Sequence, residues 1–178
     1  MEAKVWTEGV GAKGFDSKVL TLLRTAIQRG IMSLMQRIRV ANTSRTAELE
    51  IYPCGHEDFV QWQRPIQNPY ITPYGGIGSN WNWPALFLGC QFSEQALGRQ
   101  CVMFQLRVAD PTGNAVPVAQ AVLSLPYPFP ANKREDCLFL WFVVATPERA
   151  LKAFGIQDRF SVLPAILDVA VQCSIGHG

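Results

Sequence analysis

Little of this chain is charged, and no stretch of it is both long and unbrokenly apolar. Asp, Glu, Lys and Arg make up 17% of the 178 residues, with sixteen cations against fourteen anions. The densest basic groups, Lys133-Arg134 and Arg37-Ile38-Arg39, are short and far apart. A nucleic-acid footprint is larger and more clustered, so no nucleic-acid partner is expected. No apolar run approaches the ~20 residues that a membrane-spanning helix needs, and no membrane partner is expected. The opening Met-Glu-Ala-Lys-Val-Trp lacks the basic-then-apolar pattern of a secretory signal. Only two histidines occur, His56 and His177, which leaves little scope for a Ser-His-Asp array. The five cysteines (Cys54, Cys90, Cys101, Cys137 and Cys173) are odd in number and widely spaced. Together these features predict a reduced, cytoplasmic protein whose cysteines serve as small core residues.

What the chain does hold is apolar residues, at 48%. That share exceeds the need of a typical free-standing monomer and raises the expectation of a homo-oligomer or a partner protein. The length fits one domain. Residues 1–15, with Gly9, Gly11 and Gly14, read as a flexible arm, and residues 16–178 as the domain. Asp16 suits a helix N-cap. Beyond it Val19, Leu23, Ala26, Ile27, Ile31, Leu34, Met35 and Ile38 recur at helical spacing. Thr46–Tyr52 alternates apolar and polar residues as a half-buried strand does. From Phe59 to Phe92 neither period survives among the aromatics, prolines and glycines. Loops are expected there, with a short helix near Trp83–Gly89.

The second half is clearer. Val102, Phe104, Leu106 and Val108 line one face of a strand, Asp110-Pro111-Thr112-Gly113-Asn114 is turn chemistry, and Val116–Leu125 returns. Tyr127-Pro128-Phe129-Pro130 is expected to break that strand. Cys137–Ala145 is continuously apolar, as a strand covered on both faces should be. A loop with one helical turn follows, then a helix over Val162–Ile175 with Pro164 in its first turn. The fold class expected is mixed α/β (α+β): a mainly antiparallel sheet with flanking helices.

An antiparallel meander, a buried strand, a loop and an apolar-faced helix resemble the fold of the Gcn5-related N-acetyltransferase (GNAT) family over residues 101–178. Leu140-Trp141-Phe142-Val143-Val144-Ala145-Thr146-Pro147 is similar to that family's fourth strand. Ala165-Ile166-Leu167-Asp168-Val169-Ala170-Val171-Gln172 is similar to the helix after its cofactor loop. The resemblance implies an acetyl-CoA or other acyl-CoA donor and a small amine acceptor. It places Phe142, Val143 and Val144 at the pantetheine and thioester. It places Arg149, Lys152, Gly155, Arg159 and Phe160 near the phosphates, where free amides and a helix dipole favour an anion. The family's loop carries Gln/Arg-x-x-Gly-x-Gly/Ala, whereas Pro147–Ile156 is longer and has one glycine. The expectation is a degenerate loop and a domain lacking the family's fifth strand. An N-acyltransferase-like domain and a non-catalytic interaction protein completed by a partner both remain open.

Amine acylation needs a base for the attacking ammonium, and Glu57 is the candidate. Cys54-Gly55-His56 and Cys173-x-x-x-His177 hold the ligand types of a structural zinc site, but core packing explains the cysteines and no metal is expected. Pro69–Pro84 either lines an acceptor pocket or is a loop pinned by its rings. Gly75-Gly76-Ile77-Gly78 lacks the lysine of a phosphate-binding loop.

Overall fold

The computed structural model describes residues 37–98, 100–129 and 132–175. In chain order, β1 (Arg37–Arg39) and β2 (Thr46–Glu48) form an antiparallel pair. Next, β3 (Glu50–Pro53) leads to α1 (His56–Trp62), continued by a π-helical stretch (Gln63–Ile71) and a 3-10 turn (Thr72–Tyr74). After α2 (Trp83–Leu97) come β4 (Gln100–Ala109), β5 (Ala115–Phe129) and β6 (Asn132–Ala145). Two helices follow, α3 (Glu148–Ala153) and α4 (Val162–Ile175). The main sheet has four antiparallel strands in the order β3-β4-β5-β6. Helices flank it, so the chain is a mixed α+β protein.

The alternation of β4 explains the layering. Val102, Phe104, Leu106 and Val108 turn to one face, where they meet Ile38, Leu49, Ala165, Ile166 and Val169 from β1, the β2–β3 junction and α4. Cys101 and Met103 turn to the other face, against Phe59, Trp62, Trp83 and Phe87 from α1 and α2. A bulge between Leu106 and Arg107 accommodates Pro117, which has no N–H for a regular ladder. At the tip, Asp110 Oδ1 accepts from the amides of Thr112 and Asn114, and Gly113 takes φ +90° to close the turn.

Four expectations change. Thr46–Tyr52, expected as one strand, breaks at Leu49 into β2 and β3, which belong to separate sheets. Ile38 belongs to a strand, not to the end of a helix; the rest of the helix expected from Asp16, like the arm before it, lies outside the described residues. The Phe59–Phe92 region is largely helical. Its apolar anchors Phe59, Trp62 and Ile66 follow helical spacing, but prolines mask the period. Pro65 and Pro69 cannot donate to preceding carbonyls, and the backbone widens to the π form around them. Finally, β5 runs through Pro126 and Pro128. Beyond the Gln100↔Leu125 pair it has β6 alone as a strand neighbour among the described residues, and a strand paired on one side tolerates proline.

Candidate functional site

Strand β6 pairs with β5 on one side, and among the described residues no strand pairs with its other edge. Its register passes from Val122↔Phe142 to Leu123↔Leu140, leaving Trp141 as an extra residue. Such a bulge frees backbone groups from the ladder and bends the strand. Phe142 and Val144 pack on the α1–α2 side of the sheet, whereas Leu140 and Val143 join the α4 side. The three residues expected at the pantetheine therefore do not share a face. The Phe142 ring meets Trp81 edge-on at 5.0 Å, and the half-exposed Trp141 stacks with it at 6.1 Å.

After β6, α3 ends in a Schellman arrangement: the Ile156 amide donates to Leu151 O and the Gly155 amide to Lys152 O. Gly155 has φ +79°, so its conformation is set by helix termination. Lys152 and Arg159 converge on one carboxylate, Glu148, at 2.8 and 3.4 Å. Lys152 holds that carboxyl below the usual range, first by its hydrogen bond and then by its charge. Both cations stay more than half exposed. Phe160 pairs with Val40 in an isolated bridge and packs on the core. The bridge brings β1 beside the start of α4, where Ser161 N donates to Arg39 O. There, Arg37, Arg39, Thr46, Ser161 and Pro164 help to line a cleft of about 260 Å³. Sequence reasoning left this cleft out because Arg37 and Arg39 lie over 100 positions before α4.

Arg149 is differently engaged. Its Nε donates to Tyr70 O at 3.0 Å, its Nη2 donates to the same oxygen, and its guanidinium lies 3.0 Å from the centroid of the Tyr74 ring. It thus ties α3 to the end of the π-helical stretch. The neighbouring aromatic segment is tied down as well. The fully buried Gln67 donates to Gly78 O and Ser79 O and accepts from Trp83 Nε1. Trp83 N donates to Gln63 Oε1, and Asn82 caps α2 through Ala85 N.

A polar row crosses the same face of the sheet. Tyr52, Gln105, Gln120 and Val144 stand in register on β3, β4, β5 and β6. Arg107, whose carbon centre lies 3.4 Å from the Tyr52 ring centroid, donates from Nη2 to Asp58 Oδ1 at 3.0 Å and from Nε to Gln105 Oε1 at 2.9 Å. Gln105 Nε2 donates to Gln120 Oε1 at 2.8 Å. Gln120 is fully buried and its Nε2 has no partner among the described residues; Trp62 Nε1, in the same layer, has none among them either. Native interiors rarely leave such donors open, so each calls for an explanation.

Glu57 lies exposed on the first turn of α1, where Gln61 Nε2 donates to it. Cys54 sits among the α1–α2 residues and Cys173 against the α4 cluster, so the sheet separates them. Burial raises both thiols, Cys173 to about 11, which keeps them protonated. His56 meets the Phe87 ring edge-on, and His177 lies outside the described residues. No helix among the described residues is long and apolar enough to cross a membrane. No protein-family model, curated protein or solved structure matches the chain.

Proposed function

We propose that the chain is an acyl-CoA-binding, N-acyltransferase-like domain of the cytoplasm that takes acetyl-CoA or another acyl-CoA and a small amine acceptor. The observation that carries this reading is β6: a strand with one edge unpaired among the described residues and a bulge at Trp141, leading to a loop and the start of α4. An open edge offers alternate N–H and C=O groups to the amides of a pantetheine arm, in the manner of strand addition. The bulge releases backbone groups near Phe142, where a thioester carbonyl would need a donor. The three-strand meander followed by a loop and the helix α4 is the pattern on which the GNAT resemblance rests.

The residues present fit such a donor in part. The cleft places Arg37 and Arg39 beside the start of α4, and two guanidinium groups there suit a phosphate. Lys152 and Arg159 are close enough to share Glu148 and exposed enough to add to that field. Arg149, held by Tyr70 and Tyr74, serves the fold. Bound acyl-CoA would supply the activated acyl group, and Glu57 remains the candidate for taking the acceptor's proton. Calorimetry and thermal shift at millimolar acetyl-CoA test the reading: saturable heat and a raised melting temperature are expected. Silence in both assays removes it.

One observation favours a second reading, an interaction protein that reuses the fold. Leu163, Leu167 and Val171 are 52, 47 and 53% exposed at helical spacing along α4. A second copy covering this stripe would form a dimer by light scattering at micromolar concentration. Substitution of Leu167 by Glu would return the protein to monomer.

A further inference from the structure

Arg37 and Arg39 flank the buried Ile38 on β1, so both turn to the exposed face of that strand. Thr46 pairs with Arg39 across the β1–β2 ladder and shares that face. Several bonds fix β1 and its turn against the chain that enters α4. Val40 bridges Phe160, Ala41 N donates to Arg159 O, and Ser161 N donates to Arg39 O. Arg45 grips Asp158 with both arms, at 2.9 and 3.3 Å. The cleft of about 260 Å³ between these segments is floored by Ile38 and Ala165, with Thr46 and Ser161 beside the two arginines, and no carboxylate lines it among the described residues.

Charge in this region is unevenly compensated. Arg45 neutralises Asp158, and Lys152 and Arg159 share Glu148. Arg37 and Arg39 form no ion pair among the described residues, although Glu48 stands opposite Arg37 on β2. Two unpaired guanidinium groups on one cleft match a doubly charged anion, and their planar forks suit its oxygens. A phosphate monoester carries close to two charges at neutral pH. We infer that this cleft takes the 3′-phosphate of CoA, the monoester of that molecule, and so selects CoA over dephospho-CoA. This inference rests on the acyl-CoA reading above and names the end of the donor that is recognised. The cleft belongs to β1 and β2, a sheet separate from that of β6, and so serves the end of the ligand remote from the thioester.

The test compares CoA with dephospho-CoA, which lacks the 3′-phosphate, by calorimetry on the whole chain. Unmutated protein should bind CoA at least about tenfold more tightly, as expected for one charge-assisted contact. In Arg39→Met the affinity for CoA should fall about tenfold while that for dephospho-CoA stays within about twofold. Arg39 is exposed, so the urea midpoint of the variant should hardly move. Phosphorus magnetic resonance of CoA with unmutated protein gives a second readout that needs no variant. The bound 3′-phosphate should titrate at lower pH than the free one, because neighbouring cations favour its doubly charged form. Equal affinity of the unmutated protein for the two ligands, equal losses in Arg39→Met, or an unmoved 3′-phosphate titration would overturn the inference with the acyl-CoA reading intact. Unmutated protein that binds neither ligand overturns both.

Discussion

Replacing Arg107 by Met removes three interactions from one point. The charged donor loses Asp58 at 3.0 Å and Gln105 at 2.9 Å, and the Tyr52 ring loses its cation at 3.4 Å. The Arg107 and Asp58 side chains are 17 and 22% exposed, so solvent screens the pair only in part. Hydrogen bonds to charged groups contribute about 1.5–3 kcal/mol each, and a ring contact about 0.5–1 kcal/mol more. The methionine stem recovers part of the packing, and residual exposure weakens the ionic share. A net loss of about 3 kcal/mol follows. At about 2–4 °C per kcal/mol for a chain of this size, the melting temperature should drop by about 6–12 °C. Urea unfolding followed by tryptophan fluorescence suits the measurement, since Trp62 and Trp83 are fully buried. Arg107→Lys keeps the charge but not the two-armed geometry, and should lose about half as much. A double-mutant cycle with Asp58→Asn should give a coupling energy above about 1 kcal/mol. A loss below about 0.5 kcal/mol for Arg107→Met would refute the reasoning, because the row would then not depend on its charged end.

Further outcomes follow from other sites. Trp83→Ala empties a fully buried position and strands Gln67 Oε1, so it should cost about 3–5 kcal/mol in urea unfolding. Arg149→Ala should lower stability by about 1–2 kcal/mol through Tyr70 and Tyr74, while acetyl-CoA affinity by calorimetry stays within about twofold. Arg39→Ala should instead weaken acetyl-CoA binding and its salt dependence with little effect on unfolding. Asp110 is held at about 2, first by its hydrogen bond from the Thr112 side chain and then by the Asn114 amide. Its depressed pKa means that its contribution to stability is present above the unfolded value of about 4 and is lost as pH falls toward 2. Asp110→Asn should therefore flatten the pH dependence of the urea midpoint in that window, and an unchanged slope would rule the turn out as its source.

The meander was legible because its signals are local. Alternation in Cys101–Ala109, turn residues from Asp110 to Asn114 and the apolar run of Cys137–Ala145 each fall within a window of about ten residues. The helical region after Cys54 was not, because the prolines and aromatics that suggest loops there are held by long-range contacts. Gln67 joins positions 78, 79 and 83, and Arg149 reaches back to Tyr70. The bulge at Trp141 was equally hidden, since it exists only as a mismatch of register between two strands.

By itself, then, the sequence determined the fold class, an antiparallel sheet flanked by helices, because period and turn chemistry act between near neighbours. Only the tertiary structure assembled the buried polar row. Gln105 and Gln120 read as ordinary polar positions until cross-strand register sets them side by side and α1 and α2 shield them from water. Burial then makes the direction of each hydrogen bond matter, and direction descends from Arg107, a residue whose importance lies in what the fold places next to it.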